Sequence, residues 1–373
     1  MFLALKEMRR AKVRFALLMA AVGLLVFLIL FQQSLQNGLI TAFVGAVRNQ
    51  SAPVLVYSVD GRRVIQGSVI GADLEAAVRE AVGDGRVGRI GQGTFTVTAA
   101  DELSEATVLG FEEEGLGSPT TLVSGRLPRS AGEAVASEAD AAAGFDIGDV
   151  VRIEPGGLEL RVVGLARDIQ LNVAPTLFVP YATYLDAVRS RNPDAGVPPP
   201  NVLAVVPAPG TTPAATVAAV NAASDDLDAL TRADAAAKTP GVAQVQQSFQ
   251  VIFLLYGLVV PLVTGLFFLI VTFQKAPSLT LLRAIGAPAG RLVSALLVQV
   301  LLVVGGGLVI GIGLYAPLSV QRIGGITLRF ETAAVIGWSI ALLVLGTASS
   351  AVSARRVVGI DPAAALGGAG VDR

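Results

Sequence analysis

Residues 273–292, FQKAPSLTLLRAIGAPAGRL, form a short amphipathic, basic patch between two long apolar runs. The runs on either side, 251–273 and 292–318, are each long enough to cross a bilayer, which takes about 20 mostly apolar residues. A peptide that leaves a membrane, presents Lys275, Arg283 and Arg291, and returns at once has room to be a contact surface and little else. Its apolar Leu279, Leu281, Leu282 and Ile285, ending at Gly286, Ala287 and Pro288, suit a groove on a partner. They suit equally an interfacial loop whose bases meet lipid headgroups, and residue chemistry alone leaves the two readings level.

Working outward, the whole chain is too apolar for an ordinary soluble protein. Of its 373 residues 53% are hydrophobic and 15% charged, and its mean hydropathy is +0.66. Two further apolar runs, 15–31 and 333–352, bring the expected spans to four. Between the first and second lies a polar stretch, 32–250, large enough for a folded domain. The expected fold class is therefore a membrane protein with four transmembrane α-helices and a large extracytoplasmic α+β domain between helices 1 and 2. Lys6, Arg9, Arg10, Lys12 and Arg14 precede the first run as in a secretory signal. The run continues into FQQSLQNG with no small-residue cleavage site, so it is read as an anchor. With four crossings, that cluster, the 273–292 bases and Arg355/Arg356 share one side, which the positive-inside rule makes cytoplasmic. Arg322 and Arg329 oppose this orientation. The expectation is a bacterial inner-membrane protein with both termini in the cytoplasm.

The chain has no cysteine and no histidine, which removes disulfides, the commonest metal ligands and nucleophile–histidine pairs. A net charge of −1 argues against nucleic acid as a partner. The four apolar cores contain no Asp, Glu, Lys or Arg, so a proton- or ion-coupled carrier is not expected. Nor does the sequence contain a phosphate-binding loop. The chain is accordingly read as no enzyme, without metal or cofactor of its own; any nucleotide hydrolysis belongs to another polypeptide.

Phe31, Leu35, Leu39, Phe43 and Val47 recur every four residues among polar neighbours, so the first helix is expected to continue outward with one apolar stripe. Val242, Val245, Phe249 and Ile252 make a similar stripe after Thr239-Pro240-Gly241. Two such stripes can pack as a stalk. Inside the polar stretch, 54–59 reads as a strand ending at an Asp60-Gly61 hairpin turn, and 72–82 as a helix closed by Gly83. Residues 150–154 and 158–163 read as a hairpin, and Ser137 with Asp140 as the cap of a short helix ending at Gly144. NPDAGVPPP, 192–200, reads as a linker, and the α+β domain as either one body or two lobes divided near 189–200. In the third span Gly307 and Gly311 permit close helix contact, as in a dimer face, or are the ordinary glycine content of an apolar helix.

LLRAIGAPAGRL (281–292) resembles the cytoplasmic coupling segment of the FtsX/MacB-like permeases, membrane subunits of a mechanotransmitting class of ABC transporter. LALKEMRRAKVRFALLMAAVGL (3–24) is similar to that family's amphipathic first helix and first span, and ARRVVGIDPAAAL (354–366) to its basic exit and close. SGRLPRSAGEAVASEADAAAGFDIGDVVRI (124–153), LRVVGLARD (160–168) and LFVPYATYLDAV (177–188) resemble its MacB-like periplasmic core domain. The resemblance implies a cytoplasmic amphipathic helix over 1–14, span one and stalk over 15–50 and the outer α+β domain over 51–238. Stalk and span two follow over 239–273, a coupling helix over 274–291 and span three over 292–318. A short outer loop over 319–332, span four over 333–353 and a cytoplasmic tail over 354–373 complete the layout. Leu279, Leu281, Leu282, Arg283, Ala284, Ile285, Gly286 and Ala287 would then couple the chain to a separate ABC ATPase in two copies, which would hold ATP and Mg. Leu35, Leu39, Phe43, Val47, Val242, Val245 and Phe249 would pack the stalk. A second permease copy, membrane lipids and a periplasmic adaptor or hydrolase are the further expected partners. Where relatives carry an Arg/Lys-Glu pair ahead of the coupling core, this chain has Pro277 and Ser278, so Arg283 and apolar insertion would carry the docking. The expected function is export or extraction of an amphiphile (lipid, lipoprotein, peptide or drug) driven by the partner's ATP hydrolysis. Alternatives are a non-transporting mechanical regulator of a cell-wall hydrolase or sensor, and a membrane-tethered binding protein without an ATPase.

Overall fold

The computed structural model describes Met8 and residues 11–194, 196–284, 288–323 and 326–358, with 268, 275–284, 289, 322, 323 and 350–358 as backbone alone. Four helices are long and apolar enough to cross a membrane. These are α1 (Lys12–Arg48), α6 (Val242–Ala284), α7 (Ala289–Leu318) and α8 (Thr332–Val358). At 1.5 Å per residue the part of α1 before its kink at Val44, residues 12–43, reaches about 48 Å, well beyond a hydrocarbon core of about 30 Å. The chain divides into a helical unit (Met1–Gln36, Gln247–Gln321, Leu328–Arg373) and an α+β unit (Asn37–Gln246, Arg322–Thr327).

In the helical unit, Val22, Val26 and Ile29 of α1 share a buried core with Val260 of α6, Val300, Val303 and Val304 of α7 and Leu342 of α8. Polar groups here bond locally: Thr264 Oγ1 donates to Val260 O at 2.8 Å within α6. At one end, Ser34 Oγ donates to Arg329 O (3.0 Å) and accepts from Arg329 N (3.1 Å). Tyr315 OH donates to the same carbonyl at 2.7 Å.

The α+β unit is built on one ten-stranded mixed sheet in the order β10-β1-β9-β2-β3-β8-β5-β7-β4, with β6 pairing β2 and β7. Its central strands are β1 (Val54–Ser58), β2 (Arg86–Ala99), β3 (Glu102–Phe111), β8 (Thr176–Pro180) and β9 (Val202–Val206). Beyond them lie β4 (Leu122–Gly125), β5 (Glu133–Ser137), β6 (Val150–Ile153), β7 (Leu158–Ala166) and β10 (Leu227–Thr231). Strand alternation sends Val54 and Val56 of β1 to one face, in a core with Val78 of α2 (Ala72–Val82) and Val220 of α4 (Pro213–Ala223). Leu55 and Tyr57 point to the other face, in a core with Val44 and Val47 of α1. The helix start and stop signals are legible: Asp73 and Glu75 open α2, Arg79 and Gly83 (φ 59°) close it, and Thr212 caps α4 by accepting from Ala215 N at 3.2 Å. Between β2 and β3, Ala100 and Asp101 both take positive φ, the conformation of a type I′ hairpin turn.

The structure departs from the sequence reading in two places here and decides between alternatives in a third. After β1 the chain makes a 3-10 turn at Val59–Gly61 and no hairpin; β1 pairs β9 and β10, which arrive from far along the chain. No second lobe begins after the linker, because β9 returns between β1 and β2 of the same sheet. Ser137 precedes the 3-10 turn Glu138–Ala143 without capping it, since its hydroxyl is buried in the sheet and bonds nothing.

Candidate coupling segment and stalk

The coupling segment straddles the end of α6. Leu279, Leu281, Leu282, Arg283 and Ala284 lie on its last turns, where only the backbone is described, and Ile285, Gly286 and Ala287 lie outside the described residues. A separate helix over 274–291 was expected. Instead 274–284 continue α6 without a break, and 289–291 open α7, whose first turn follows Pro288 in extended conformation (φ −66°, ψ 137°). The stop signals Gly286 and Pro288 sit past Ala284, and Pro277 alone does not end the helix. Arg355 and Arg356 lie on α8 as backbone, while most of residues 1–10 and all of 359–373 lie outside the described residues.

Of the expected stalk residues, Phe43, Val47, Val242 and Val245 come together in one cluster. On the second half of α1 the buried positions are Ser34, Gln36, Ile40, Ala42, Val44, Gly45, Ala46 and Val47, whereas Leu35, Leu39 and Phe43 are half-buried. The helix breaks at Val44, which is non-helical (φ −132°, ψ 17°). Beyond that point α1 does not pack as one strand of a free coiled stalk. Val44, Ala46 and Val47 are buried in the core of the α+β unit with Leu55, Phe178 and Val242, and Phe43 and Val245 pack at its margin. Phe249, half-buried in the helical unit, has its ring 6.4 Å from that of Phe253.

Gly307 and Gly311 lie against α1 of the same chain. A Cβ on Gly307 would fall 2.5 Å from Val22 Cγ1, and one on Gly311 would fall 2.6 Å from Val26 Cβ. Reciprocally, a Cβ on Gly23 would meet Ile310 Cγ2 at 2.8 Å. Small residues on both helices thus let two backbones approach. This corrects the dimer-face alternative: the face is occupied within the chain.

Electrostatics concentrate in the α+β unit. Arg126 donates to both oxygens of Glu133, and the backbone N–H groups of Arg129 (2.9 Å) and Ser130 (3.2 Å) add to them. The guanidinium foremost, then these N–H groups, hold the Glu133 carboxyl down at about 2. Burial works against the Glu75 carboxylate, but hydrogen bonds from Arg79 and Arg89 outweigh it and its pKa falls. Among the described residues no three acidic side chains converge as a metal site would need. Beneath Ala46 and Val47, a cavity of about 20 Å³ lined by Leu55, Ile90, Phe111 and Phe178 has room for about one water, far too little for an amphiphile.

Sequence reasoning missed the loop after β7, where Asp168, Asn172 and Val173 take positive φ beside the kink in α1. Its signal was faint: Asn172 tolerates the left-handed region and Pro175 marks a loop, but nothing local names α1 as the neighbour.

No family model matches the chain. Two curated proteins named as uncharacterized ABC transporter permeases, from two strains of Mycobacterium tuberculosis, are each 25% identical to it over 379 aligned positions, covering 99% of this chain and 99% of the relative. Among solved structures, the periplasmic region of MacB from Actinobacillus actinomycetemcomitans aligns at 17% identity with TM-score 0.36, over 50% of this chain and 92% of that one. The extracellular domain of the ABC-type transporter YknZ from Gram-positive bacteria aligns at 12% identity with TM-score 0.33, over 48% and 99%. The permease resemblance read from the motifs is borne out by relatives that match from end to end: across almost its whole length the chain is similar to ABC transporter permeases.

Proposed function

We propose that this chain is the transmembrane permease subunit of an ABC transporter complex in the bacterial cytoplasmic membrane. The observation that carries this is the alignment over 99% of both chains with proteins named ABC transporter permeases. The sequence has no phosphate loop, so ATP and Mg bind a separate ATPase, two copies of which serve two permeases. Both termini and the 274–291 segment face the cytoplasm and the α+β unit lies outside, as the distribution of bases favours.

In this reading, closure of the ATPases pushes on the coupling segment, α1 and α6 carry the movement outward, and the α+β unit shifts against a partner or an amphiphile. The spans carry no ionisable core residues and the α+β cavity under α1 has room for only about one water, which suits movement relayed along the helices without a hydrophilic path or an enclosed substrate site there. The cargo is an amphiphile taken from the outer leaflet or the space beyond it. The test is ATP hydrolysis by the tagged complex purified in lipid nanodiscs. Stimulation by a lipid, lipopeptide or amphiphilic drug is the expected result; stimulation only by a cell-wall hydrolase would convert the reading into mechanical regulation. A chain that carries no ATPase through purification would contradict it.

A further inference from the structure

The outer end of α1 is held by a loop that supplies the hydrogen bonds the helix has lost. At Val44 the helix is broken, and Ala46 N donates to Gln170 O at 3.0 Å. Asn172 N donates to Phe43 O (3.0 Å) and Val173 N to Ala42 O (2.9 Å), so carbonyls that a helix end leaves open are filled from another segment. Val44 and Leu171 form an antiparallel bridge, and Asn49 Nδ2 donates to Asp168 O at 2.7 Å. Val44, Ala46, Gln170 and Leu171 are all buried. There is no space for a side chain at Gly45: a Cβ there would overlap Asp168 O and lie 3.2 Å from Gln170 O.

The loop is itself fixed to the sheet. Leu171 N donates to Thr176 Oγ1 (2.9 Å), whose hydroxyl donates to Ala174 O (3.0 Å), and Thr107 N of β3 donates to Pro175 O (2.8 Å). Gln170 Nε2 donates to the buried Asp140 carboxylate at 2.9 and 3.0 Å. Asp168, Asn172 and Val173 have φ of 57°, 54° and 61°. Positive φ is costly for a β-branched residue such as Val173 and persists where the surroundings over-determine it. What over-determines it here is the set of bonds to α1.

We propose that residues 168–174 form a rigid joint between α1 and the sheet, with Gly45 and Val173 as its positioning residues, and that the joint stays closed while the complex works. This rests on the permease reading for its purpose, since α1 is the element along which movement would arrive. The geometry stands apart from that reading, and so does its first test.

Hydrogen exchange followed by mass spectrometry on the full chain in nanodiscs reads the joint directly. Peptides covering 42–49 and 168–174 are expected to exchange within about tenfold of peptides from β3 and β8; exchange faster by about a thousandfold, as for a mobile loop, overturns the proposal. Val173→Pro removes the N–H and forbids the positive φ, and should speed exchange at 42–49 by about a hundredfold or more, while Val173→Gly, which keeps both, should leave it unchanged. Equal effects of the two variants, or none from Val173→Pro, overturn it. Since the chain contains no cysteine, Val44→Cys with Leu171→Cys can be cross-linked cleanly, an antiparallel pair having Cα atoms within disulfide reach. In the complex purified with its ATPase, oxidation should leave ATP hydrolysis within about twofold of the reduced state; a tenfold loss reversed by dithiothreitol would mean that the joint opens, and would overturn the rigid-joint claim. A chain that brings no ATPase through purification contradicts the permease reading instead, and the exchange rates still decide the joint.

Discussion

Phe95 of the α+β unit and Gly311 of the helical unit both mark places where the chain is tightly packed, and they achieve it by opposite means. Phe95 fills a core shared with Val97, Phe145 and Leu160 with a ring that is 1% exposed. Gly311 brings α7 against Val26 of α1 by having no side chain at all. The polar chemistry divides in the same way. In the α+β unit Arg63 pairs with Asp228, Glu75 with Arg79 and Arg89, and Arg126 with Glu133. In the helical unit the buried surface is mostly valine, leucine and glycine. The α+β unit is held by filling its core with large side chains, whereas apolar helices that lie in lipid gain nothing from burying leucine and depend on shape.

Substitutions at Phe95 and Gly311 should destabilise the protein by different routes. Phe95→Ala should cost about 3–5 kcal/mol, read as a lowered unfolding midpoint of the full chain in detergent, because the ring leaves a cavity that the sheet cannot close. A loss under about 1 kcal/mol would mean that this core is loosely packed. Gly311→Val should cost about 1–3 kcal/mol by forcing α1 and α7 apart, measured by resistance to unfolding in sodium dodecyl sulfate micelles. An unchanged midpoint would show that the two helices do not rely on close approach.

The smallest effect sharpens the electrostatic side. Glu133 is held at about 2, below the ordinary glutamate value of about 4.3, so its contribution is present above pH 4.3 and is lost as pH falls through about 2. Glu133→Gln should therefore flatten the fall in stability between about pH 4.3 and 2 and leave the slope between pH 6 and 8 unchanged. Arg126 is 45% exposed, so the effect is modest and shrinks further in high salt. Identical acid limbs for the two proteins would remove the pair from the account.

Much of this was legible because it is local. Ala72–Val82 with its Gly83 stop, the β6–β7 hairpin around Pro155-Gly156-Gly157 and the four apolar runs all announce themselves within about twenty residues. What was hidden is non-local. Nothing near Val202 says that β9 inserts between β1 and β2, and nothing near Phe43 says that a loop more than a hundred residues later will bond its carbonyl. Gly307 and Gly311 advertise a close contact but not its partner, which Val22 and Val26 turn out to be. The coupling segment was read from its pattern of leucine, arginine and glycine, and its side chains lie outside what the structure describes.

In the proposed complex the segment at the end of α6 receives the ATPase's motion, and Arg283 is the residue whose charge that contact would use. Arg283→Glu in the full complex, reconstituted in nanodiscs, should abolish partner-stimulated ATP hydrolysis while the variant still inserts in the membrane at wild-type level. Hydrolysis at the wild-type rate, with the variant correctly inserted and bound to its ATPase, would contradict the account.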